Sequence, residues 1–214
     1  MKLMTNCFGG RLYPILDVGL LASLGVRVES FAWEMREAGV GFLQYRDKVS
    51  MPESVLRNTA LVRKVLGGNG CRLICNDRAD LAVLAEWDGV HVGQGDLRPE
   101  DARRVVGNRR LVGVSTHTPE DVAAAELSCA DYVAIGPVFS TRTKADAAPV
   151  VGLEGVRMAR ALTAKPLVAI GGITRENARS VIDAGADCVA VISGLLAKGE
   201  SPSRVARDFL ALLR

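Results

Sequence analysis

The chain has 214 residues, 49% of them apolar, 5% aromatic and 24% charged, with a formal net charge of +3. That length is enough for one large core. A charge so modest, with few aromatics and no dense Lys/Arg run, argues against a nucleic-acid partner and suits an enzyme whose few cations meet anionic substrates.

Strands are expected over Leu12–Leu16, Gly41–Tyr45, Arg72–Cys75, Gly89–Val92, Leu111–Ser115, Tyr132–Ile135, Leu167–Ile170 and Cys188–Ile192, each a short run rich in Val, Ile and Leu. Helical patterns alternate with them over Ser30–Ala38, Pro52–Leu66, Ala79–Ala85, Pro99–Val106, Pro119–Leu127, Leu153–Leu162, Arg175–Ala184 and Pro202–Leu213. Capping chemistry is expected from Ser50, Thr118 and Thr174, and helix ends at Gly39, Gly67-Gly68 and Gly185. Eight such pairs, with no linker between them, predict a single-domain (β/α)8 TIM barrel over residues 1–214. The rival is a doubly wound open sheet, which would be unusually wide and would lack a Gly-x-Gly-x-x-Gly after its first strand.

Five cysteines, Cys7, Cys71, Cys75, Cys129 and Cys188, include no Cys-x-x-Cys, and four lie in or beside apolar segments. They read as reduced core thiols rather than disulfides or zinc ligands. No signal-peptide pattern follows Met1 and no apolar run is long enough for a membrane, so cytoplasm and no membrane partner are expected. No long apolar face decides for or against a homo-oligomer.

In a barrel of parallel strands the C-terminal strand ends converge on one mouth, so the residues there are read together. Gln44, Arg46 and Lys48 alternate along an extended segment and share one side, an arrangement suited to an anion. Tyr45 and Asp47 should face the other way, with only their backbone available to the mouth. Asn76-Asp77 and Asp96 place two carboxylates at adjacent strand ends, which beside cations suits Mg²⁺. Asp77 could instead cap the helix that starts near Arg78-Ala79.

Ser115 reads as a substrate hydrogen-bonding group, since no nucleophile elbow surrounds it. His117 is either a proton-transfer group or a loop residue, and His91 a core or barrel-lining histidine. The interval Gly136–Gly152 is long enough for a lid. Gly171-Gly172 and Ile192-Ser193-Gly194, after the last two strands, form a phosphate-gripping pattern. Two anion sites at one mouth imply two phosphorylated small-molecule partners.

The segments Gln44-Tyr45-Arg46-Asp47-Lys48, Asn76-Asp77, Gly93-Gln94-Gly95-Asp96, Gly113-Val114-Ser115, Gly136 to Lys144, Gly171-Gly172-Ile173 and Val191-Ile192-Ser193 occur in this order over nearly the whole chain. Together they resemble the thiamine phosphate synthase family. The resemblance implies a transferase that joins a pyrimidine-methyl diphosphate to a thiazole phosphate through a dissociative, Mg²⁺-assisted step. It implies that Gln44, Arg46, Lys48, Asn76, Ser115 and Lys144 bind the pyrimidine diphosphate, with Tyr45 and Asp47 in the same motif. Arg46, Lys48, Ser115 and Lys144 would be the catalytic set. Asp77 and Asp96 would hold Mg²⁺, and Thr141, Arg142, Thr143, Gly172, Ile192 and Ser193 the thiazole phosphate.

One departure is Leu12-Tyr13-Pro14-Ile15-Leu16-Asp17, where the family usually has Thr before Asp and where Pro14 removes a ladder donor. A thiazole tautomerase of the same fold is the nearest rival, but that family has generally lost the metal carboxylates kept here. A ligand-binding barrel without catalysis is a further alternative.

Overall fold

The computed structural model describes residues 8–141 and 148–214. Eight parallel strands run in chain order and close on themselves: β1 (Leu12–Asp17), β2 (Phe42–Arg46), β3 (Arg72–Asn76), β4 (Gly89–Val92), β5 (Leu111–Thr116), β6 (Tyr132–Ile135), β7 (Leu167–Ile170) and β8 (Cys188–Val191). Closure is direct: β8 pairs with β1 at Leu12↔Val189 and Tyr13↔Ala190. The fold is a (β/α)8 TIM barrel, and the open-sheet alternative is excluded.

The helices are α1 (Val18–Ser23), α2 (Val28–Ala38), α3 (Pro52–Leu66), α4 (Ala79–Leu84), α5 (Pro99–Val106), α6 (Pro119–Leu127), α7 (Gly152–Leu162), α8 (Ala178–Asp183) and α9 (Pro202–Leu212). Four of them begin at the proline marked in the sequence, where the missing N–H costs nothing and φ is already helical. Thr118 caps α6 as expected, in a reciprocal capping box with Asp121. Gly39 ends α2 in the left-handed region at φ 74°.

Three local expectations are corrected. Ser50 does not cap α3; its N–H donates to Asp47 Oδ1 (2.9 Å), and Met51 stands at the cap position. The helix expected from Arg175 starts at Ala178, because Thr174 to Asn177 form a turn in which Asn177 Oδ1 accepts from the Thr174 N–H (2.8 Å). Helix α1 was not anticipated. Gly19 obscures its pattern, and Asp17 caps it by accepting from the Leu20 N–H (2.9 Å).

One device recurs beneath the barrel. Asp88, Asp131 and Asp187 each precede an even-numbered strand, and each bonds the start of the strand before it. Their carboxylates accept from the N–H groups of Leu73, Val112 and Leu167 at 2.7–2.8 Å. Their own N–H groups return to the carbonyls of the same three residues. Arg103 and Arg160 add ion pairs to Asp131 and Asp187.

The main core lies between barrel and helices, with Met35, Val62, Ala82, Val156 and Phe209 wholly buried. A second cluster fills the barrel itself around Phe8, Tyr13, Phe42 and Tyr132. Each buried Val, Met or Phe side chain here contributes about 1.5–3 kcal/mol on burial. Cys71, Cys75 and Cys188 are buried free thiols, whereas Cys129 is exposed in the turn before β6, against expectation; Cys7 lies outside the described residues. No helix among the described residues is long and apolar enough to cross a membrane.

Candidate active site

The C-terminal ends of β2, β3, β4 and β5 surround a cavity of about 610 Å³. Gln44, Arg46, Lys48, Asn76, Asp77, Asp96 and Ser115 all line it, as the strand alternation and order required. Arg46 forms an ion pair with Asp17, at the end of β1. Its buried Nε finds no hydrogen-bond partner among the described residues, leaving a guanidinium donor unspent within the cavity wall.

The structure does not bring the Tyr45 and Asp47 side chains to this cavity. Tyr45 packs edge-on against Trp87, with ring centroids 5.9 Å apart, and its hydroxyl donates to Asp47 Oδ2 (2.8 Å). Burial pushes the Tyr45 hydroxyl well above the usual phenol range. Partial burial alone would raise the Asp47 carboxyl. The bonds from Tyr45, Ser50 and Val49 outweigh that and hold it below the ordinary carboxylate value. The pair shapes the turn after β2.

Asp77 is left-handed at φ 61°, fixed by its N–H donating to the His91 carbonyl (2.7 Å). It does not cap α4, whose cap residue is Arg78. Its carboxylate pairs with Lys48 and has that of Asp96 for a neighbour. Burial raises the Asp77 carboxyl; Lys48 opposes the shift and the neighbouring Asp96 reinforces it. Asp96 is oriented by the Gly93 N–H (2.8 Å).

Two hard oxygen donors, crowded together so that ionising both is unfavourable, fit a small divalent cation. Among the described residues no group of three or more His, Cys, Asp or Glu gathers for a metal. The protein would thus supply two carboxylates and leave the other positions to water and phosphate, the usual habit of Mg²⁺.

A second cavity opens against β6, β7 and β8, lined by His117, Thr141, Gly171, Gly172, Ile192, Ser193 and Gly194 among others. Gly172 sits at φ 63°, and a Cβ there would lie 2.5 Å from the Ser140 carbonyl oxygen. On Gly194 a Cβ would lie 2.7 Å from that of Ile173. Only glycine allows these backbones to approach so closely. Ser193 opens a 3₁₀ turn over Ser193–Leu195, whose first N–H groups have no acceptor within the turn.

The chain after β6 continues beside β7, with Val138 and Phe139 donating to Ile170 and Gly171 at 2.8 and 3.0 Å. This brings Thr141 to the cavity edge. Arg142, Thr143 and Lys144, and most of the expected lid, lie outside the described residues. His117 is tethered by Nδ1 to the Gly136 carbonyl oxygen (2.5 Å).

Both cavities share Ser115, Ala134, Ile170, Ala190 and Ile192, so they are two halves of one mouth over a common floor. Sequence reasoning missed Asp17 and Gln94, the latter holding the Ser115 carbonyl through Nε2 (2.6 Å). Gln94 was visible in its motif; nothing local tied Asp17 to Arg46.

The sequence profile described as thiamine monophosphate synthase matches residues 12–195. The thiamine-phosphate synthase of Koribacter versatilis is 50% identical over 206 residues, 95% of each chain. That of Chloroflexus aurantiacus is 39% identical over 95% of this chain and 92% of its own. Among solved structures, thiamine phosphate pyrophosphorylase from Pyrococcus furiosus matches with a TM-score of 0.84 and 31% identity over 95% of both chains. The chain belongs to the thiamine monophosphate synthase family of transferases.

Proposed function

We propose that the protein condenses 4-amino-2-methyl-5-(diphosphooxymethyl)pyrimidine with thiazole phosphate, releasing pyrophosphate and giving thiamine phosphate. The observation that carries this reading is the shared floor. A cation- and carboxylate-lined half and a glycine-walled half open over the same strand-end residues, so two phosphorylated molecules can meet there.

Gln44, Asn76 and Ser115 would hold the pyrimidine over the floor. Arg46, through its unpaired Nε, and Lys48 would take the charge that develops on the departing diphosphate. Mg²⁺ held by Asp77 and Asp96 would supply further neutralisation of that leaving group. Gly172, Ile192 and Ser193, with Thr141, would hold the thiazole phosphate so that its ring nitrogen faces the methylene.

The bond from the methylene to the diphosphate oxygen breaks, the pyrimidine stabilises the resulting cation, and the thiazole nitrogen captures it. Such a step needs no enzymic nucleophile. Lys144, Arg142 and Thr143 are proposed to complete the site from the segment after Thr141.

Incubation with both substrates and Mg²⁺, followed by chromatography of the products, tests the proposal. Equal release of pyrophosphate and thiamine phosphate is expected. Tautomerisation of a thiazole without C–N bond formation would overturn it.

A further inference from the structure

A chain of hydrogen bonds runs through the barrel interior and joins Gln44 to Ser115. Gln44 Nε2 donates to the Tyr13 hydroxyl (2.9 Å), and the Tyr13 and Tyr132 hydroxyls lie 3.1 Å apart. The Tyr132 hydroxyl is 3.0 Å from His91 Nδ1, and His91 Nε2 is 2.9 Å from Ser115 Oγ. Gln44, Tyr13, Tyr132 and His91 are all buried.

Strand register builds this path. His91 on β4 is paired with Gly113 on β5, and Gly113 with Tyr132 on β6. A Cβ on Gly113 would fall 2.0 Å from Tyr132 Cζ. The glycine therefore leaves the gap through which the phenol crosses from β6 to reach the imidazole on β4.

One direction of donation fits every contact in this chain. An amide nitrogen only donates, so the Tyr13 oxygen accepts from Gln44, and the Tyr13 proton is then available to the Tyr132 oxygen. In that direction the Tyr132 hydroxyl donates to His91 Nδ1, and a neutral imidazole would carry its proton on Nε2 and donate it to Ser115 Oγ. Ser115 would then have its own O–H to donate into the cavity, while Gln44 keeps its Oε1 as an acceptor.

We propose that Tyr13, Tyr132 and His91 are positioning residues that fix this polarity, with an acceptor at Gln44 and a donor at Ser115. That pair complements the exocyclic N–H and a ring nitrogen of a neutral aminopyrimidine, and it disfavours a ring protonated at that nitrogen. The neutral ring is the form best able to release electrons as the diphosphate leaves. The inference rests on the reading that Gln44 and Ser115 hold the pyrimidine diphosphate.

Two measurements test it. ¹⁵N spectra of histidine-labelled protein without substrate should show His91 as the Nε2–H tautomer, and the preference should weaken in Tyr132→Phe, which retains the packed ring. In kinetics, Tyr132→Phe should lower kcat/KM for the pyrimidine diphosphate about tenfold while leaving KM for the thiazole phosphate unchanged. His91→Gln, which can return an N–H toward Ser115, should recover part of the activity lost in His91→Ala. An Nδ1–H tautomer in the wild type, or wild-type kinetics in Tyr132→Phe, overturns the inference. A wild type that makes no thiamine phosphate overturns only the functional reading, because the histidine spectrum reports the polarity without substrate.

Discussion

Asp47 faces away from the cavity and Asp77 lines it beside Lys48, and the two respond to pH in opposite ways. Hydrogen bonds hold the Asp47 carboxyl below its ordinary value. Its stabilisation is therefore present above the unfolded pKa and is lost as pH falls through the folded one. Asp47→Asn keeps the shape without the charge, and should cost about 1 kcal/mol at neutral pH. Thermal melts should show the gap to wild type closing below about pH 4.

Asp77 has its carboxyl raised, chiefly by burial, so its ionised form opposes folding and the penalty grows as pH rises through that pKa. Asp77→Asn removes the penalty and suits the left-handed backbone at φ 61°. The variant should melt no lower than wild type at neutral pH, yet lose about a hundredfold or more in turnover. A Tm drop with activity retained would show that Asp77 serves the fold. The alternation of Gln44, Arg46 and Lys48 was legible because a strand has a fixed period. The Arg46–Asp17 pair was not, because it joins residues 29 apart and no local pattern chooses among the acids available to one arginine.

At the scale of elements, prolines and β-branched runs marked most boundaries, since they act through the backbone of their own segment. Helix α1 escaped and the start of α8 was misplaced because contacts set them: Asp17 for one and the Thr174–Asn177 turn for the other. The Asp88, Asp131 and Asp187 clamps were not legible, because that each would bond the preceding strand depends on barrel register. Asp131→Ala should strand the Val112 N–H and take the carboxylate partner from Arg103, which keeps its backbone acceptors, at a cost of about 1–3 kcal/mol. A lower midpoint in urea with an unchanged slope would be the expected result. An unaltered midpoint would mean that the clamp contributes nothing.

For the whole molecule, eight similar strand–helix units pointed to the barrel, and the barrel then gathered motifs separated by up to 149 residues, from Gln44 to Ser193, around one floor. What the sequence left open was how the two proposed anion subsites relate. The cations lie on the β2 side of the mouth and the glycine cradle between β7 and β8. Gly172→Ala should therefore raise KM for the thiazole phosphate by about tenfold or more and leave diphosphate binding intact, since the added Cβ collides with the Ser140 carbonyl only in the second half.

The most direct test is calorimetric titration of the wild-type protein with pyrophosphate, with and without Mg²⁺, followed by thiazole phosphate added to the loaded protein. One pyrophosphate per chain should bind only when Mg²⁺ is present, and one thiazole phosphate should then bind beside it. Competition between the two ligands, or pyrophosphate binding indifferent to Mg²⁺, would contradict a mouth built of two distinct anion subsites.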